Sequence, residues 1–122
     1  MLDPTKLLSQ LETLPLQDLG WGTLQWLAND ALFPGVEQTL GICRMKARGG
    51  NPLHYHPNCE ELLYVQQGFG RHSFDGAWID VKPGSLVRVP RGVHHNIVND
   101  SDEEMVCWLA FSSGDRKTVF LE

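Results

Sequence analysis

From Trp21 onward the chain alternates short runs rich in β-branched and aromatic residues with turn signals. The turns fall at Gly49-Gly50-Asn51-Pro52, Asp75-Gly76, Pro83-Gly84, Pro90-Arg91-Gly92, Asn99-Asp100-Ser101-Asp102 and Ser112-Ser113-Gly114-Asp115. Intervals of roughly 8 to 15 residues between turns fit a β-sandwich or barrel. Asp75-Gly76 is the strongest hairpin signal, because both residues tolerate positive φ. Before Trp21 the pattern differs. Asp3 can cap a helix with Pro4 at its first position, and Leu7, Leu8, Leu11 and Leu14 form an apolar stripe that stops at Pro15. Two runs, Leu62 to Val65 and Met105 to Phe111, are apolar on both faces, whereas a strand with one wet face should alternate. Their outer faces need a cover, which the N-terminal helix and a partner subunit would share.

The composition suits one compact domain over residues 1–122, with 1–20 as a helical extension and 21–122 as the barrel. A chain of 122 residues with 42% hydrophobic content can fill a single core. No repeat, low-complexity tract or linker interrupts it. The net charge of −5 and the absence of a basic stripe argue against nucleic acid and against anionic membranes. Met1-Leu2-Asp3-Pro4 lacks the basic and apolar segments of a secretory signal, and no run of about 18 apolar residues occurs, so a cytoplasmic protein is expected. Cys43, Cys59 and Cys107 are odd in number and form no C-x-x-C pair, which does not suit a disulfide framework.

The candidate chemistry lies in two blocks, His54-x-His56-x4-Glu61-x6-Gly68 and Gly84-x5-Pro90-x-Gly92-x2-His95-x3-Asn99. Side chains two apart on a strand share a face, so His54 and His56 can both point inward. Glu61 lies an odd number of residues beyond His56, so a bend must intervene, and Pro57-Asn58 is suited to it. His95 arrives from a separate strand through the Pro90-Arg91-Gly92 turn. Three imidazoles and a carboxylate suit one first-row divalent ion such as iron, manganese, nickel, zinc or copper. On a six-coordinate ion, four protein ligands leave two positions for substrate.

The two blocks resemble the paired motifs of the cupin superfamily over about residues 49 to 99. The second block matches at every marked position. The first matches at both histidines, the glutamate and the closing glycine, but Arg48 stands where the family has its leading glycine. The resemblance implies an all-β, double-stranded β-helix (jelly roll) with a short N-terminal helix, and His54, His56, Glu61 and His95 as metal ligands. It also implies a homodimer, common among small cupin-like proteins. It does not select a reaction, since the superfamily includes dioxygenases, isomerases, lyases, decarboxylases, sugar-binding regulators and storage proteins.

The expected activity is therefore that of a small metal-dependent enzyme of dioxygenase or isomerase/lyase type. A divalent ion with one carboxylate ligand is net positive and favours a small, oxygen-chelating anion. The alternative is a non-catalytic module that binds or senses a sugar or carboxylate. Counting by twos from Glu61 puts Leu63, Val65 and Gln67 on the site's face, and Arg44 and Arg88 lie on flanking strands. Gln67, Arg44 and Arg88 are the candidate substrate contacts. Glu60 is an alternative carboxylate, His72 and His94 read as structural, Cys59 as a small buried residue, and Asn99 as a turn residue.

Overall fold

A computed structural model describes residues 1–122. Eleven strands follow in order: β1 (Gln17–Asp18), β2 (Gly22–Ala28), β3 (Thr39–Met45), β4 (His54–Tyr55), β5 (Glu61–Gln67), β6 (Gly70–Phe74), β7 (Ala77–Val81), β8 (Leu86–Val89), β9 (Ile97–Asn99), β10 (Met105–Phe111) and β11 (Val119–Phe120). One wall is a six-stranded sheet in the order β1-β2-β3-β10-β5-β8. The other combines β7-β6-β9 with the pair β11-β4, and the isolated bridges Gly50–Val98 and His54–His95 join the two. All strand pairs are antiparallel, as expected for a jelly roll.

The core lies between the walls. Met45, Val65, Val89, Ile97, Met105, Cys107 and Phe111 belong to one buried cluster. In β10 the inward positions Met105, Cys107, Leu109 and Phe111 alternate with Val106, Trp108 and Ala110 on the outer side. Asp75 (φ 49°) and Gly76 (φ 89°) form the β6–β7 hairpin that their identities predict. The bend between His56 and Glu61 falls at Pro57-Asn58.

Two features differ from expectation. The segment before β1 is not one helix but two short 3-10 turns, Pro4–Leu7 and Leu11–Thr13. Asp3 does cap the first, accepting a hydrogen bond from the Thr5 amide at 3.0 Å. The segment bonds to the sheet instead of forming a helical ladder. Ser9 donates to the Leu27 carbonyl (2.8 Å), and the Gln25 amide donates to the carbonyls of Leu11 and Leu14 (2.9 and 3.0 Å). So short a helix is marginal alone, and these tertiary bonds replace its ladder. Leu7 and Leu8 are exposed rather than packed, while Gln25 and its cross-strand partner Ile42 are buried. Arg48, at the position of the expected glycine, nevertheless adopts φ 62°. The turn keeps its left-handed form with a side chain present.

Candidate metal centre

His54 sits on β4, and its main chain exchanges two hydrogen bonds with His95, N to O at 3.1 and 2.8 Å. That bridge brings the two sequence blocks together. His56 follows on the same face, and Glu61 opens β5 on the opposite wall. The ligand atoms of His54, His56, Glu61 and His95 all lie within 4.8 Å of one another, and all four residues are buried.

The orientation of the rings follows from their outer nitrogens. Nδ1 of His54 lies 2.7 Å from the Pro52 carbonyl, Nδ1 of His56 is 2.9 Å from that of Lys117, and Nδ1 of His95 is 2.9 Å from that of Val93. A carbonyl only accepts, so each Nδ1 carries the proton and each neutral ring presents the Nε2 lone pair inward. This is the arrangement by which outer partners fix metal-binding imidazoles. The His56 Nε2 approaches Glu61 Oε1 at 3.3 Å yet has no hydrogen bond. An imidazole lone pair and a carboxylate oxygen face each other there with no proton between them. A divalent cation would supply the missing positive charge, and the donor set fits one.

The electrostatics agree. Burial alone would raise the Glu61 carboxyl, but the close approach of the His56 and His95 rings outweighs it and holds the group well below the usual carboxylate range. Burial would lower His95, whereas its 3.0 Å contact with Glu61 raises it above the ordinary histidine value. Burial, then the charge of His95, pushes His54 down to about 4.

The cluster borders a cavity of about 380 Å³ whose wall is largely apolar and includes Trp21, Leu24, Met45, Ile97 and Met105. His72 also lines it, buried and parallel to His95 at 5.7 Å between ring centroids, and its Nδ1 has no partner. Three candidate contacts lie elsewhere. Gln67 pairs with outward-facing Val106 because a bulge between Val106 and Cys107 shifts the β5–β10 register, and its amide donates to the Glu104 carbonyl at 2.8 Å. Arg44 is on the outer side of β3, bonded to Gln25 Oε1 at 3.2 Å. Arg88 is exposed and ion-paired with Glu60 at 2.8 Å, which also removes Glu60 from the centre. His94 is exposed against Tyr55, and Cys59 is packed in the core cluster.

Arg116, Thr118 and Phe120 line the cavity although none was anticipated. They come from the C-terminal segment, which returns across the barrel to pair with β4. Their spacing by twos is the only signal the sequence carries, and three positions are too few to read alone.

Residues 41–111 match the family described as Cupin domain, and the chain belongs to that family. It is 29% identical over 73 residues to an uncharacterised protein of Methanocaldococcus jannaschii, covering 60% of this chain and 58% of that one. It is 32% identical over 104 residues to a probable oxalate decarboxylase of Arthroderma benhamiae, covering 80% of this chain and 25% of that one. Among solved structures, the oxalate decarboxylase of Lactobacillus farciminis in complex with formate superposes with a TM-score of 0.84 at 20% identity, over 92% of this chain and 35% of that one. The chain thus spans about three-fifths of the first relative's length and a smaller part of the decarboxylases. No helix is long and apolar enough to cross a membrane.

Proposed function

We propose that the protein is a metal-dependent cupin enzyme in which His54, His56, Glu61 and His95 hold one divalent transition metal, and that its substrate is a small anion chelating through oxygen. The observation that carries this reading is the convergence of three imidazole nitrogens and one carboxylate, all buried, beside a cavity large enough for a small molecule. The oxalate decarboxylases named among the similar proteins, one of them with bound formate, favour a carboxylate substrate.

When bound, the metal supplies a Lewis-acidic positive centre and, if it is iron, manganese, nickel or copper, also redox capacity toward dioxygen. The chain does the rest. The carbonyls of Pro52, Lys117 and Val93 hold the rings in register. Glu61 limits the net charge of the filled site to +1, which attracts an anion without requiring a second charge. The apolar wall excludes water and strengthens every charge interaction inside.

Elemental analysis of protein purified without added metal should find about one transition-metal ion per chain. A screen over hydroxy-keto acids, dicarboxylates, diketones, catechols and uronate-type sugars, read by oxygen uptake and product analysis, should then show turnover with one class. Absence of metal would sink the metal reading. Tight binding without turnover would identify a binding module instead.

A homodimer forms part of the same proposal. Leu40, Leu62, Tyr64 and Leu86 remain exposed on the outer face of the six-stranded sheet. Light scattering should give about twice the chain mass of 13.7 kDa, and Leu62→Lys should shift it toward the monomer. A monomeric wild type at micromolar concentration would refute it.

A further inference from the structure

Arg116, which borders the cavity, has no acidic partner, while three arginines on the surface do. Arg48, Arg71 and Arg88 are ion-paired with Asp102, Asp100 and Glu60 at 2.8, 2.9 and 2.8 Å. Arg116 makes no ion pair. Its guanidinium lies over the rings of Trp26 and Phe111, at 4.5 and 5.1 Å from their centroids, and donates one hydrogen bond, to Thr118 Oγ1 at 2.9 Å. Thr118 Oγ1 in turn lies 3.3 Å from Nδ1 of His56. The guanidinium is therefore one hydroxyl away from the ring of a proposed metal ligand.

This position is built. Asn58 donates to the Asp115 carbonyl (2.8 Å) and accepts from the Lys117 amide (3.0 Å), bracketing Arg116 on both sides. A Cβ at Gly114 would collide with the Val36 carbonyl, so the chain just before Arg116 passes tightly against its neighbour. The two flanking rings fix the guanidinium plane. A guanidinium has five N–H donors in a rigid fork, and one is used here. Burial disfavours its charge, and an anion in the cavity would relieve that cost.

We propose that Arg116 is a second substrate anchor, so that the substrate is a small dianion with one oxygen group for the metal and a carboxylate for the guanidinium. The proposal rests on the metal-dependent reading above and narrows its substrate class. Inside the cavity, a divalent ion and Arg116 contribute three positive charges and Glu61 one negative, leaving +2 for a dianion to neutralise. Glu122 also borders the cavity but is exposed, and its carboxylate is engaged by the Leu53 amide at 2.6 Å.

The test compares malonate with acetate as probes, by calorimetry, on manganese-loaded and metal-free protein. Manganese-loaded wild type should bind malonate at least about tenfold more tightly than acetate, in line with a charge-assisted bidentate contact. Arg116→Gln should abolish that preference while manganese content, by elemental analysis, stays at the wild-type level. Arg116→Lys keeps the charge without the fork and should retain part of it. The lysine variant also serves if the glutamine variant fails to fold. Equal preference in wild type and both variants would overturn the anchor and leave the metal site standing. Should wild type hold no manganese, malonate binding to the metal-free protein that disappears in Arg116→Gln would keep the anchor and remove the metal. No malonate preference by wild type in either form would overturn the proposal.

Discussion

Nδ1 of His56 donates to the main-chain carbonyl of Lys117 at 2.9 Å, across 61 residues of sequence. The contact makes the C-terminal segment part of the proposed metal centre, because it decides which His56 nitrogen faces inward. Asn58 holds that segment in place. Replacing His56 or His95 by Ala should remove most bound metal with little change in β-sheet circular dichroism. Asn58→Ala, which leaves all four proposed ligands intact, should weaken metal affinity about 10-fold or more, as outer partners of ligating histidines typically do. Near-wild-type occupancy in both histidine variants would refute the ligand assignment.

The metal-free protein should lose stability on both sides of about pH 6.5. Burial, then the charge of His95, holds both His54 and His72 down to about 4. As pH falls from 6.5 toward 4, the unfolded chain takes up protons that the folded chain refuses. Stability should fall by up to about 1.4 kcal/mol per pH unit for each residue. Glu61, with a depressed folded value, adds stability above the ordinary carboxylate range and loses it at lower pH. His95, with a raised one, contributes below 6.5 and loses that contribution as pH rises through its folded value. Urea midpoints measured with chelator from pH 4.5 to 8 should trace this dome. A flat profile below 6.5 would contradict the buried neutral histidines.

Asn99 is the hub of the chain that follows the second block. Fully buried, it donates to the carbonyls of Lys46 and Glu103 (3.1 and 2.9 Å) and accepts from the amide and hydroxyl of Ser101 (3.0 and 2.6 Å). Asn99→Ala leaves those groups unsatisfied and should cost about 3 kcal/mol in chemical denaturation. It should leave one metal per chain in the protein that still folds. A loss below about 1 kcal/mol would show that water replaces the side chain.

Arg48 carries a side chain in the left-handed region at φ 62°. Arg48→Gly removes a strain of about 1 kcal/mol, while Arg48→Ala keeps it and loses the exposed ion pair with Asp102. The glycine variant should therefore melt several degrees above the alanine variant. Equal melting temperatures would mean the turn relaxes freely.

The spacing of His54, His56, Glu61 and His95, the bend at Pro57-Asn58 and the Asp75-Gly76 hairpin were all legible in the sequence. Strand alternation and turn chemistry are local properties, set by a few adjacent residues. Which residues surround the cluster was decided only by tertiary structure. Counting by twos placed Gln67 toward the site, and a bulge set by the partner strand β10 turned it away. The leucine stripe of the N-terminus implied a helix, but hydrogen bonds from Ser9 and Gln25 drew that segment out along the sheet. Arg116 reaches the cavity because its segment returns across the barrel to β4, and no local rule encodes a contact made about 60 residues away. Periodicity fixes which face a side chain takes within a strand, whereas barrel closure determines which strands share a cavity.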